Sequence, residues 1–139
     1  MAELASPQFV VDTNIIVDYL RRREATLRSL LLRYRCAMTA MTLYELKALP
    51  TLSPRQEHLI VTLCEVITVL PFGEETADVS ARIARALRAQ GSSIGLPDTL
   101  IAGTCLAATL PLLTHNTRHY ERVPGLAVLD PATLIESGS

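Results

Sequence analysis

Short apolar runs alternate with longer amphipathic stretches along the whole chain. The runs rich in Val, Ile and Leu predict strands at residues 8–12, 36–39, 66–70, 112–114 and 127–129. The stretches between them have apolar residues at helical spacing, and they predict helices at 14–20, 24–34, 42–49, 54–64, 74–90 and 97–109. Because helices separate the strands throughout, the strands should pair in parallel. The pattern therefore predicts an α/β fold, a three-layer α/β/α sandwich with a short central parallel sheet.

The composition supports a globular domain with a substantial core. A chain of 139 residues, 49% hydrophobic, is expected to fold as a single domain over residues 1–139. Cys36, Cys64 and Cys105 show no paired spacing, which is typical of reduced core cysteines rather than of disulfides or a zinc site. No signal sequence and no apolar run near the ~20 residues of a membrane span is visible. We therefore expect a cytoplasmic protein without a membrane partner.

Acidic residues follow the predicted strands at places where a parallel sheet gathers function. Asp12 ends the first strand, Thr114 ends the fourth, and Glu45 and Asp98 stand in early helix turns. In open parallel sheets, sites form beyond the carboxyl ends of the strands, so these side chains should meet there. Carboxylates in one cleft repel each other unless a cation lies between them. Oxygen ligands suit Mg²⁺ or Mn²⁺, and such ions serve the hydrolysis of phosphodiesters.

Four sequence blocks resemble the motifs of PIN-domain nucleases. They lie at residues 11–14 (Val-Asp-Thr-Asn), 42–46 (Thr-Leu-Tyr-Glu-Leu), 97–102 (Pro-Asp-Thr-Leu-Ile-Ala) and 113–125, which begins Leu-Thr-His-Asn-Thr-Arg-His-Tyr. Each block alone is weak, but all four occur in the family's order and span most of the chain. Within the family, the sequence is most similar to VapC-type toxins of type II toxin–antitoxin pairs. The resemblance also implies a PIN-like fold.

The resemblance implies a role for each acid. Asp12 and Asp98 would be the principal metal ligands, and Glu45 would be a third ligand or would orient the attacking water. Asn116 stands where many relatives have a fourth acid, and it is retained as a catalytic candidate because an amide can still coordinate a metal. An acid is also common at the position of His119. Both departures reduce the negative charge expected of the site.

Three further residues in these blocks are candidates for supporting roles. The resemblance implies that Thr13, Asn14 and Thr114 orient the carboxylates through hydrogen bonds.

Each site residue also has an ordinary structural interpretation. Asp12 could cap a helix, and Thr42 and Glu45 have the spacing of a capping box. An acid at position 98 suits a helix dipole, Asn116 suits a turn, and His115 and His119 suit exposed loop positions.

The implied activity is that of a metal-dependent endoribonuclease, the toxin component of a toxin–antitoxin pair. The cofactor would be Mg²⁺ (or Mn²⁺), and the partners would be the RNA substrate, a small cognate antitoxin and a second copy of the chain in a homodimer. Apolar helices at 13–34 and 54–64 are candidate docking surfaces for the antitoxin. Arginine suits phosphate binding, although these side chains could equally form solvated helix faces; the candidates are Arg21, Arg22, Arg23, Arg82, Arg85, Arg88, Arg118 and Arg122.

Two alternatives belong to other functional classes. The chain could be a catalytically silent PIN-like interaction module, with Asn116 as a sign of lost activity. It could also be a metal-dependent phosphatase or another α/β hydrolase. Against the hydrolases, the first strand is followed by Asp-Thr-Asn rather than a DxD pair, and the sequence has no Gly-rich phosphate loop of the GxxxxGK type.

Overall fold

A computed structural model describes residues 6–22 and 24–137 of the chain. Its central sheet is all parallel and has the strand order β3-β2-β1-β4-β5. The strands are Phe9–Val11 (β1), Cys36–Thr39 (β2), Thr68–Leu70 (β3), Leu112–Leu113 (β4) and Val128–Leu129 (β5). These strands are shorter than or equal to the predicted ones, and the predicted fold class is confirmed.

Helices cover both faces of the sheet. They are Thr13–Arg22 (α1), Thr26–Arg33 (α2), Ala40–Lys47 (α3), Pro54–Val66 (α4), Glu74–Ala89 (α5), Leu96–Ala108 (α6), Thr117–Tyr120 (α7) and Pro131–Ser137 (α8). The sequence pattern predicts the first six. It misses α7 and α8 because four and seven residues are too few to show a helical period. No helix within the described part of the chain is long and apolar enough to cross a membrane.

Alternation along the strands divides the buried residues into two cores. Phe9 and Val11 face the side covered by α1 to α4, whereas Val10 between them faces the side covered by α5 to α7. The same alternation separates Leu113 from Leu112 on β4. Because successive side chains of a strand point to opposite faces, a sheet that is apolar on both faces needs helices on both sides. This requirement accounts for the three layers.

The chain reverses its direction of winding between β1 and β4. From β1 the sheet grows through β2 to β3 on one side, and β4 and β5 are added on the other side. The Asp12 N–H donates to Leu113 O at 2.9 Å, and the Thr114 N–H donates to Leu129 O at 2.9 Å. Asp12 and Thr114 therefore stand side by side where β1 and β4 end. This is the topological switch point at which open α/β sheets form their sites.

Two glycines shape the loop that leads into α6. Gly91 has φ +67° and ends α5, as the sequence predicts, and Gly95 has φ +92° immediately before Leu96. Residues with a side chain rarely adopt such φ values. The loop between these glycines turns the chain so that α6 packs back along α5. It also fixes the start of α6, which includes Asp98.

Candidate active site

Asp12 is held from two sides at the carboxyl end of β1. Its Oδ1 accepts a hydrogen bond from the Thr13 N–H at 2.9 Å, and its Oδ2 accepts one from the Thr114 hydroxyl at 2.7 Å. The Thr114 Oγ1 in turn accepts from the Asn116 N–H at 3.0 Å. Asp12 therefore presents a fixed carboxylate at the switch point, directly before α1, and its capping role stays a prediction. Thr13 and Thr114 have the supporting contacts predicted for them.

The charge of Asp12 is poorly compensated within the protein. Burial raises the pKa of Asp12, its two hydrogen bonds lower it, and the nearby charges of Asp98 and Glu45 raise it further. Burial is the largest of these effects, in keeping with a residue that is only 4% exposed. Among the described residues, no Arg or Lys forms an ion pair with Asp12. The three predicted acids thus share one electrostatic neighbourhood.

Glu45 is joined to this neighbourhood through Thr13. The Thr13 hydroxyl donates to Glu45 Oε1 at 2.8 Å and lies 2.9 Å from the Thr42 hydroxyl. The capping-box interpretation of Thr42 and Glu45 is wrong, because α3 begins at Ala40 and Thr39 is its N-cap. The Thr39 Oγ1 accepts the Thr42 N–H at 3.0 Å. Glu45 consequently lies in the second turn, with its carboxylate free of any capping role.

Asp98 has a partner that the sequence does not predict. Its Oδ2 lies 2.7 Å from Nε2 of His119, and the two side chains are 36% and 24% exposed. The interpretation of His119 as an exposed loop residue is therefore wrong: it belongs to α7 and points at the site. The sequence feature that pointed to a place in the site was the position of His119 in the fourth sequence block, where an acid is expected. His115, by contrast, is exposed.

Tyr120 brings a buried hydroxyl close to the same acids. The residue is 1% exposed, and its hydroxyl has no hydrogen-bond partner among the described residues. Burial raises the pKa of Tyr120 strongly, and the charges of Asp12 and Asp98 raise it further. Cys105 also lies within range of Asp12, since burial and the Asp12 charge both raise the pKa of its thiol. Tyr120 and Cys105 form the buried side of the site.

The model of the PIN domain family matches residues 9–126. The chain belongs to the PIN domain family. The match begins at β1 and ends beyond α7, so it contains Asp12, Glu45, Asp98 and His119. The family resemblance seen in the four sequence blocks is thereby confirmed.

Individual relatives of this PIN domain, and the solved structures of other proteins that resemble it, agree with the assignment. The tRNA(fMet)-specific endonuclease VapC of Shigella flexneri is 30% identical over 128 residues, which cover 88% of this chain and 97% of that protein. Ribonuclease VapC of Rickettsia bellii is 44% identical over 64 residues, 46% of this chain and 48% of that protein. The crystal structure of DNA-bound VapBC from Salmonella typhimurium aligns with a TM-score of 0.83 at 25% identity, covering 91% of this chain and 99% of that one. The structure of VapBC-1 from nontypeable Haemophilus influenzae aligns with a TM-score of 0.78 at 27% identity, covering 89% of this chain and 98% of that one.

Two predicted residues of this PIN domain lie at the rim of the site. Asn116 precedes α7 and joins Thr114 only through its backbone N–H; its side chain is exposed. Asn14 is likewise exposed, in the first turn of α1. Neither amide is hydrogen-bonded to another side chain in the part of the chain described here. The catalytic role of Asn116 and the supporting role of Asn14 stay predictions.

The donor set of the PIN-domain site fits a divalent cation. Asp12, Glu45 and Asp98 supply carboxylate oxygens, and oxygen ligands with retained waters suit Mg²⁺ and Mn²⁺. Within residues 6–22 and 24–137, no three acidic, His or Cys side chains are already drawn together closely enough to enclose an ion. Mutual repulsion between the acids gives a physical reason for this spacing. A bound cation would offset that repulsion and the cost of burying Asp12.

Proposed function

We propose that this chain is a metal-dependent endoribonuclease that hydrolyses RNA phosphodiester bonds and acts as the toxin of a toxin–antitoxin pair. The observation that carries the proposal is the buried carboxylate of Asp12 at the switch point, whose pKa is raised by burial and by the nearby charges of Asp98 and Glu45. The names of the VapC relatives and the VapBC structures support the same activity and the same kind of partner.

Asp12 and Asp98 would hold Mg²⁺ (or Mn²⁺), with Glu45 as a third ligand or as the group that orients the attacking water. When bound, the ion would supply charge neutralisation at the phosphate and a more acidic water. Thr114 and Thr13 fix the two oxygens of Asp12, and Thr13 also fixes Glu45. These hydrogen bonds hold the carboxylates in place before substrate arrives, which is how neighbouring groups tune a metal site.

Exposed arginines on α5 and around α7 are candidates for phosphate contacts. Arg118 and Arg122 flank the end of α7 and are exposed, as are Arg82, Arg85 and Arg88 on α5. Their planar guanidinium groups can pair with phosphate through two hydrogen bonds. The chain has a net charge of only −1, so binding of RNA should rest on these local groups and weaken with salt.

The first helix supplies a second group of candidate arginines. Arg21 and Arg22 end α1 and are exposed, and Arg22 lies 3.9 Å from Asp18 one turn earlier. Arg23 is outside the described residues. The contact ties Arg22 to an acid of its own helix.

A small antitoxin and a second copy of the chain complete the proposed assembly. A groove of about 790 Å³ runs between α2 and α4, next to β3. Exposed Leu32 and Val66 lie on it, at 78% and 61% exposure, which suits an apolar segment of a partner. The groove joins the two helical surfaces predicted for docking. The reduced cysteines and an RNA substrate are consistent with action in the cytoplasm.

The test is cleavage of structured RNA by the purified chain with Mg²⁺ or Mn²⁺. Asp98→Asn removes one charged ligand and should lower the rate more than about 100-fold, since a catalytic metal supplies several kcal/mol. Asp78→Asn, at an exposed acid on α5, is the matched control and should cleave like the wild type. Circular dichroism checks that both variants fold. Equal cleavage by Asp98→Asn would rule out this site.

The silent-module alternative predicts a different outcome. Such a module would bind Mg²⁺ or Mn²⁺ no better than an ordinary acidic surface. Calorimetric titration of the wild type and of Asp98→Asn distinguishes the two, because only a metal site should lose affinity in the variant.

A further inference from the structure

The imidazole of His119 brings a nitrogen atom that can act as a metal ligand next to the acids of this site. Its Nε2 lies 2.7 Å from Asp98 Oδ2, and its ring meets the ring of Tyr120 edge-on, with centroids 5.2 Å apart. The neighbouring Tyr120 is fully buried, so α7 is anchored where His119 emerges. Both features fix the imidazole against the carboxylate that is proposed to hold the metal.

The observed spacing suits two ligands of one ion. In octahedral coordination with bonds of about 2.1 Å, neighbouring ligand atoms lie about 3 Å apart. The Nε2–Oδ2 distance of 2.7 Å is close to this value. For His119 and Asp98 to share an ion, the contact would open slightly and the imidazole would turn so that an unprotonated Nε2 faces the ion instead of Asp98. The imidazole is 24% exposed, so it can adjust without disturbing the core.

A second observation places an unfilled polar position beside this pair. The Tyr120 hydroxyl is buried, and Asp98 is close enough to act as its hydrogen-bonding neighbour although the two form no short hydrogen bond. Buried hydroxyls normally have a full set of partners, so this one can accept a further polar group beside the carboxylates. A metal-bound water or ligand oxygen would satisfy it.

We propose that His119 is a nitrogen ligand of the metal in this site and makes the site select Mn²⁺ over Mg²⁺. The inference rests on the proposed metal-dependent function and adds the choice of ion. Mg²⁺ strongly prefers oxygen ligands, whereas transition ions accept imidazole nitrogen readily. A neutral imidazole also brings less negative charge than the acid that the family resemblance leads one to expect there. The nitrogen ligand weakens the binding of Mg²⁺ relative to that of Mn²⁺, and the lower negative charge makes the affinity for either ion depend more on that nitrogen.

The first test uses the unmodified full chain with Mn²⁺ as the probe. Pulsed electron paramagnetic resonance should detect ¹⁴N coupling from a directly bound imidazole. Competition between Mn²⁺ and Mg²⁺, followed by calorimetry, should show a preference for Mn²⁺ of more than about tenfold. Neither measurement depends on catalysis or on any substitution, so a variant that failed to fold would leave the result intact.

Two substitutions assign the nitrogen to its residue. His119→Glu should abolish the ¹⁴N signal and lower the Mn²⁺/Mg²⁺ affinity ratio about tenfold or more. His115→Gln removes the exposed neighbouring histidine and should change neither quantity. Bound Mn²⁺ without ¹⁴N coupling, or with the same coupling in His119→Glu, would overturn the inference and leave the metal site standing. Failure of the wild type to bind either ion would overturn the proposed function itself.

Discussion

At the scale of single residues, the proposed function depends most on a carboxylate that is costly to bury. Asp12 is almost completely buried, and its hydrogen bonds to Thr13 and Thr114 do not cancel the cost of its burial, since its pKa is raised. The charges of Asp98 and Glu45 add repulsion. Active sites commonly combine such destabilising features with catalytic capacity. Replacing the Asp12 carboxylate should therefore raise the stability of the protein and lower its activity.

Asp12→Asn is predicted to stabilise the metal-free protein while it removes activity. A neutral amide is easier to bury than a carboxylate, and the Thr114 hydroxyl can rotate to accept from it. We expect a gain of about 1 kcal/mol at pH 7 in the free energy of unfolding, measured with urea in the presence of a chelator. Asp78→Asn on the exposed face of α5 should change it little. A less stable Asp12→Asn protein would show that the carboxylate is structurally required.

The thiol of Cys36 gives a pH-dependent prediction. Burial raises its pKa from 9.0 to about 12. At pH 9 roughly half of an ordinary thiol is ionised, but only about one in a thousand of this one. Its raised pKa stabilises the fold below pH 9, and that stabilisation is lost as the pH rises from 9 towards 12. Alkylation by iodoacetamide at pH 9 should therefore modify Cys36 only after unfolding in urea, as mass spectrometry can show. Rapid labelling of Cys36 in the native protein would contradict its buried placement.

Sequence reasoning located the acids of the site more successfully than it located their neighbours. Asp12, Glu45 and Asp98 stand in motifs that can be recognised without coordinates, and the structure brings them into one neighbourhood. The contact of His119 with Asp98 depends on how α7 docks, and a single helical turn has no periodicity from which to predict this. The same holds for the placement of the buried Tyr120 hydroxyl beside Asp98.

At the scale of elements, α6 carries Asp98 and depends on close packing against α5. A Cβ placed on Gly103 would lie 2.8 Å from Ser80 Cβ and 2.9 Å from Ser80 Cα, with the Ser80 hydroxyl closer still. The two helices can approach this closely only because residue 103 lacks a side chain. The sequence predicts both helices but not this contact, since periodicity identifies a buried face without giving its partner. Periodicity also fails to fix where an element begins. Thr39, the last residue of β2, is the N-cap of α3, so that helix begins at Ala40 rather than at the predicted Thr42.

Gly103→Ala is predicted to destabilise the protein by about 2–3 kcal/mol, because the added methyl group forces backbone rather than a flexible side chain to move. The free energy of unfolding in urea measures the loss. Ser80→Ala is the control at the same contact: it removes a buried hydroxyl that has no partner among the described residues and should be neutral or slightly stabilising. A Gly103→Ala protein as stable as the wild type would mean that the helices are not so closely packed.

At the scale of the whole molecule, the parallel sheet converts distant sequence positions into one site. The hydrogen bond between Thr114 and Asp12 joins residues 102 positions apart, and Glu45 and Asp98 arrive from separate helices on opposite faces of the sheet. The alternation of strands and helices allowed the sequence to predict this convergence at the carboxyl edge. It could not give the strand order, because the pairing of β1 with both β2 and β4 leaves no local signature.

Because the proposed ligands come from β1, α3 and α6, binding of an ion should stabilise the entire fold rather than one segment. An ion at 100 times its dissociation constant stabilises a native protein by about 2.7 kcal/mol. For a chain of this length, that corresponds to a rise in melting temperature of roughly 10 °C. Scanning calorimetry with and without Mn²⁺, at matched ionic strength, measures the shift. Asp78→Asn should show the full rise and Asp98→Asn almost none, since of the two only Asp98 is a proposed ligand. If both variants responded like the wild type, the ion would be bound elsewhere on the molecule.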